Sequence, residues 1–96
     1  MNNPLTELRC LLNEAGIPYE DHPEPQVLSV MDRVWYVRDG NVICSAIWGM
    51  GSYGYKDGLI EIMGLLTEEE RERDDVVGYL TPEEVFWRIK RDWETF

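Results

Sequence analysis

The dipeptide Asp39-Gly40 separates two runs rich in β-branched and aromatic residues, RVWYVR before it and NVICSAIW after it. Glycine tolerates positive φ, and Asp-Gly is a favoured centre for a two-residue type I′ turn. The segment therefore predicts an antiparallel hairpin with strands at 33–38 and 41–48, and a weaker third strand near 27–31. Alternation along the first strand groups Arg33 with Trp35 on one face and Tyr36 with Arg38 on the other.

A chain of 96 residues makes one domain, 1–96. At that size it buries only ~60–65% of its unfolded surface, so one modest core must hold it. Apolar residues make up 44% of the chain, too many for a disordered one. Helix signals bracket the hairpin. Asn3 and Pro4 read as N-cap and first helical residue, Leu5, Leu8, Leu11, Leu12 and Ala15 follow at helical spacing, and Gly16 suits the C′ position. Near the other end Thr81, Pro82 and Glu84 form a capping box. Leu80 and Val85 are placed as a hydrophobic staple, and Val85, Phe86, Ile89 and Trp93 form the stripe.

Between these landmarks the signals are weaker. Residues 17–26 hold Pro18, Pro23 and Pro25 and permit an edge strand or an extended connection. Residues 59–66 fit a helical stripe (Leu59, Ile62, Met63, Leu66) slightly better than a short strand centred on Ile60 and Ile62. Thr67 to Asp75 reads as a capped, solvated helix or turn, with Glu69 and Arg73 spaced as an ion pair, and 76–80 as a short strand. The fold class expected is α+β: a small antiparallel sheet with N- and C-terminal helices packed on one face.

Composition also limits function. Nineteen acidic against nine basic residues give a net charge of −10, which opposes binding to nucleic acid or to anionic membranes. No apolar run approaches the ~18 residues of a membrane span, and no signal peptide opens the chain, so a cytoplasmic protein is expected. His22 is the single histidine, and Cys10 and Cys44 lie far apart without metal-ligand spacing, so neither a metal nor another cofactor is expected. Ser52 has no evident histidine partner, Cys44 falls within a strand, and the run 68–75 mixes arginines with acids unlike a calcium loop. No catalytic residue is assigned.

The segment GMGSYGYKDG at 49–58 is the candidate binding site. Its first six residues match G-x-G-x-x-G, but the chain has no room for a dinucleotide fold and no kinase or Walker motif follows. What remains is a loop whose amides could form an anion-binding nest. The candidate ligand-binding residues are Gly49, Gly51, Ser52, Tyr53, Gly54, Tyr55 and Lys56, with Trp48 ahead of the loop and Tyr36 and Arg38 on the neighbouring strand. Aromatic faces for a base and amides for phosphate would suit a nucleotide; a lid of tyrosines over a small core is the structural alternative. The aromatic surplus points to a homo-oligomer.

The segments LRCLLNEAGI, VWYVRDG, GMGSYGYKDGLIEIMG and VVGYLTPEEVFWRI resemble a group of small accessory proteins of bacteriophages and prophages. The resemblance covers most of the chain and carries no catalytic residues. It implies an anti-defence role in the host cytosol. One form of that role is sequestration of a nucleotide-derived immune signal, of the cyclic ADP-ribose or cyclic dinucleotide kind. Another is acidic inhibition of a nucleic-acid-binding host defence protein through Glu68, Glu69, Glu70, Glu72, Asp74 and Asp75. A structural or assembly role is the third.

Overall fold

The computed structural model describes residues 2–27 and 29–95. Along the chain lie α1 (Pro4–Glu14), β1 (Glu20–Asp21), β2 (Glu24–Pro25), β3 (Val30–Arg38) and β4 (Asn41–Trp48). A 3-10 turn at Tyr55–Asp57 precedes β5 (Ile60–Met63), α2 (Glu68–Arg73), β6 (Val76–Leu80) and α3 (Pro82–Glu94). All pairings are antiparallel, in the order β1-β3-β4-β5-β6, and β2 lies beside β1 along the same edge of β3. The protein is α+β, with helices at both ends of the chain.

The turn chemistry places the central hairpin. Asp39 and Gly40 take φ of 52° and 77°, the left-handed pair that a type I′ turn requires, between the paired residues Arg38 and Asn41. Ile43 is the extra residue of a bulge, because Tyr36 pairs with Cys44 while Val37 pairs with Val42. At the other edge the three prolines confine the chain to two short strands, β1 and β2, where a missing N–H costs least.

Two expectations are corrected. Residues 60–63 form a strand, not the middle of a helix. Ile60 and Ile62 are fully buried with half-buried Glu61 between them, so the operative period is two. The weak strand expected at 27–31 is the beginning of β3, which runs unbroken from Val30; Leu28 lies outside the described residues.

Both long helices lie on the same face of the sheet. Asn3 caps α1 by accepting from the Leu5 amide, and Gly16 at φ 70° closes it. There the Gly16 and Ile17 amides donate to Asn13 and Leu12, the two bonds of a Schellman motif. Thr67 and Thr81 cap α2 and α3, each in a reciprocal capping box with Glu70 or Glu84. Leu5, Leu8 and Leu12 of α1 and Val85 and Ile89 of α3 meet Val34, Tyr36, Cys44, Ala46, Ile60, Ile62 and Leu80 of the sheet in one core. Each fully buried Leu or Ile contributes roughly 1.5–3 kcal/mol, so this face holds the fold. Trp93, expected in the α3 stripe, is 39% exposed.

Among the described residues no helix covers the opposite face. The register lines up Trp35, Ser45, Met63 and Val76 in one row, Arg33, Ile47 and Glu61 in the next, and Val37 beside Val42. Met63 and Val42 are 56% and 46% exposed there.

Candidate functional site

The glycine loop is folded against its own sheet. A one-residue bulge in β6 makes this possible: Ile60 pairs with Leu80 but Ile62 with Val77. Tyr79 takes φ 60° in the bulge, and its amide turns out to donate to the Tyr53 carbonyl at 3.3 Å. Tyr53 then lies over Gly78, where an added Cβ would sit 2.2 Å from the Tyr53 Cβ. Gly54, at φ 97°, approaches the Tyr79 backbone so closely that a Cβ would meet its nitrogen at 3.1 Å. Gly49 packs in the same way against Met31. These glycines serve close approach of backbone to backbone, one of the two general uses of glycine in such loops.

The loop's hydrogen bonds point inward. The Ser52 hydroxyl donates to the Gly49 carbonyl at 2.8 Å and accepts from the Gly49 amide at 3.1 Å, in a buried position. Amides of Ser52, Tyr55, Asp57, Gly58 and Leu59 donate to carbonyls within 49–55. The Tyr53 amide donates to Glu61 Oε1 at 2.9 Å, so a carboxylate of the protein takes the place an anionic ligand would need. The amides of Gly49, Ser52, Tyr53 and Tyr55 are thus already bonded within the protein.

The other candidate residues separate into two places. Trp48 is half-buried, donates through Nε1 to the Tyr55 carbonyl at 3.2 Å and packs on the Tyr55 ring at 4.9 Å between centroids. Both therefore belong to the loop as packing residues, while Tyr53 stays 54% exposed. Tyr36 is fully buried beneath the helices and donates to Asp92 Oδ2 at 2.7 Å. Burial and then that carboxylate push its phenol up to about 12. Arg38 ion-pairs with the same carboxylate. Because Asp32 pairs with Trp48, Arg38 lies six residues further along β3, about 20 Å from the loop at ~3.3 Å per residue. Tyr36 and Arg38 are thus corrected out of the loop site.

Lys56 is exposed between two open recesses. One, about 380 Å³, lies against Gly51, Gly54, Tyr55 and Tyr79. The other, about 790 Å³, lies against Asn3, Thr6, Glu7, Cys10 and Pro82. Asp57 lines both, and Glu7 the larger, so acidic residues share each recess with Lys56. The Glu7 carboxyl, hydrogen-bonded to that of Glu83, is held above its ordinary range.

Sequence reasoning overlooked the long-range ion pairs. Arg9 grips Asp32 at 2.7 and 2.8 Å and Asp21 at 2.8 Å, while Asn3 donates to the same Asp32 at 2.7 Å. Burial raises the Asp32 carboxyl, but the bonds from Arg9 and Asn3 outweigh it and hold the group low. Arg88 grips Glu70 at 2.7 and 2.8 Å and donates to the Leu65 carbonyl at 3.0 Å, tying α2 to α3. His22, on the proline-rich segment, stacks on Trp35 at 3.8 Å. Burial pushes the Cys44 thiol up to about 12, which leaves it an inert core residue. Among the described residues no three His, Cys, Asp or Glu side chains gather as metal ligands. None of the described helices is long and apolar enough to cross a membrane.

No family model matches the chain, and neither the curated proteins nor the solved structures offer a match.

Proposed function

We propose that this is a non-enzymatic binding protein that acts by occupying a host protein, and that its working surface is the face of the sheet opposite the helices. One observation carries the reading. In a chain of net charge −10, the central three strands present Val37, Val42, Ile47 and Met63 outward beside Trp35, on whose ring His22 stacks, with Arg33 (paired with Glu24) and Glu61 (bonded to the Tyr53 amide) the charges among them. Apolar side chains grouped on one face, rimmed by charge, are what protein interfaces use.

The margins of that face define the partner. Along the β1–β2 edge Asp21 is paired with Arg9, Glu24 with Arg33 and Glu20 with His22, whereas exposed Asp74 and Asp75, which lead into β6, have no ion-pair partner among the described residues. A partner with an apolar patch flanked by Lys and Arg complements this arrangement. A second copy would add like charge to the unpaired acids at the β6 margin. An acidic inhibitor of a host nucleic-acid-binding protein, the kind of anti-defence role that the resemblance to phage accessory proteins implies, has this character. The apolar face supplies affinity, and the acidic margins supply the encounter rate.

Site-specific photocrosslinking in the bacterial host tests it. A photoreactive phenylalanine at position 42 or 63 should capture one and the same basic protein, and the same group at exposed Trp87 on α3 should not. Capture of a second copy alone, or equal capture from position 87, overturns the proposal.

A further inference from the structure

We infer that the recess between α2 and α3 is a binding site for a small phosphate monoester, independent of the sheet face. The recess has a volume of about 420 Å³, and its floor is Leu65 and Leu66. Arg71, Arg88 and Arg91 surround it, and Asp92 is the acid on its wall.

The charges there do not cancel. Arg88 is neutralised by Glu70, and Asp92 is neutralised by Arg38. Arg71 donates one hydrogen bond, from Nη2 to the Leu66 carbonyl at 3.3 Å, and no carboxylate pairs with it among the described residues. Arg91 is exposed, and its guanidinium makes no hydrogen bond or ion pair among the described residues. Arg71 and Arg91 therefore line one recess with no carboxylate ion-paired to either among the described residues, Asp75 lying beside Arg71 in the adjoining recess, in a chain that is otherwise strongly acidic. By contrast, Lys90 on the neighbouring helical position is turned away, over the Trp87 ring at 4.8 Å.

The ligand class follows from the number and shape of the donors. Each guanidinium offers a planar fork suited to two oxygens of one anion. A carboxylate has two oxygens and one charge, enough for one fork. A phosphate monoester has three terminal oxygens and close to two charges at neutral pH, which two forks can share. Leu65 and Leu66 give the organic part of the ester an apolar surface, and the recess lies in the size range of small-molecule sites, roughly 300–1,000 Å³.

Titration calorimetry with inorganic phosphate and with phenyl phosphate tests the site, sodium chloride serving as the control at matched ionic strength. Both phosphates should bind saturably, phenyl phosphate more tightly. Arg91→Gln, which removes no bond of the fold, should weaken both at least tenfold, and Arg71→Gln with Arg91→Gln should abolish them. Arg73→Gln, on the same short helix but outside the recess, should leave binding unchanged. Heats that chloride reproduces, binding that survives the double substitution, or an equal loss in Arg73→Gln would each overturn the assignment.

Discussion

Tyr53 covers the α-carbon of Gly78 so closely that the two residues form the seam between the glycine loop and the sheet. A Cβ on Gly78 would lie 2.2 Å from the Tyr53 Cβ and 3.0 Å from its carbonyl oxygen. Gly78→Ala should therefore force the loop off β6 and lower stability by ~1–3 kcal/mol, the usual cost of overpacking. A urea titration reads this as a lower midpoint. Combining it with Tyr53→Gly should recover part of the loss, since the clash is between these two residues. A neutral Gly78→Ala would mean that the loop does not rest on the bulge.

Glu70 and Arg88 give the fold an acid-sensitive joint. The Arg88 hydrogen bonds hold the Glu70 carboxyl down at about 2, against an ordinary 4.5. A depressed folded value means that its contribution is complete above 4.5 and is lost as pH falls toward 2. Glu70→Gln should thus lower the melting temperature at pH 7 and make little difference near pH 2. Arg88→Ala is the harsher change, because it strands both the carboxylate and the Leu65 carbonyl, at a cost of ~1–3 kcal/mol. A pH-independent effect of Glu70→Gln would remove the ion pair from the account.

Tyr36 should ionise late. Its phenol is buried and donates to Asp92, so its value rises from 10 to about 12. A raised acid stabilises the fold below its unfolded value, and that share disappears as pH climbs from 10 to 12. Absorbance titration at the phenolate band should show a late step near pH 12, and Tyr36→Phe should remove it. The same substitution should cost ~0.5–1.5 kcal/mol at neutral pH, the worth of one hydrogen bond, with Asp92 retaining Arg38.

These relationships show which features local sequence can carry. The Asp39-Gly40 turn, the Asn3 and Thr81 caps and the Leu5, Leu8 and Leu12 stripe act within a few residues, and each is legible as a pattern. Residues 60–63 were ambiguous because Ile60 and Ile62 satisfy period two while Leu59, Ile62, Met63 and Leu66 satisfy a helical period. Pairing with β4 and β6 decides between them, and that pairing is tertiary. The glycine loop was ambiguous for a related reason. A loop that must touch a phosphate and a loop that must touch its own sheet both need glycine, and the β6 bulge that receives it lies over twenty residues away. Glu70 with Arg88 and Arg9 with Asp32 are eighteen and twenty-three residues apart, beyond any helical spacing rule.

Glu7 on α1 and Glu83 on α3 are neighbours where the two helices begin. Neighbouring carboxylates repel unless one holds a proton, and Glu83 holds the Glu7 group above its ordinary value. The sign is opposite to that of Glu70. A raised folded value gives stability that is present below 4.5 and lost as pH rises through the folded value. Glu7→Gln keeps a hydrogen-bond donor facing Glu83 without the charge, so its melting temperature relative to the parent should rise between pH 4 and pH 7. Glu83→Gln should do the same, since either amide relieves the same repulsion. Thermal melts of the three proteins across that interval decide the matter. Differences that stay constant with pH would mean that the two carboxyls do not share a proton, and that the α1–α3 contact rests on its apolar side chains alone.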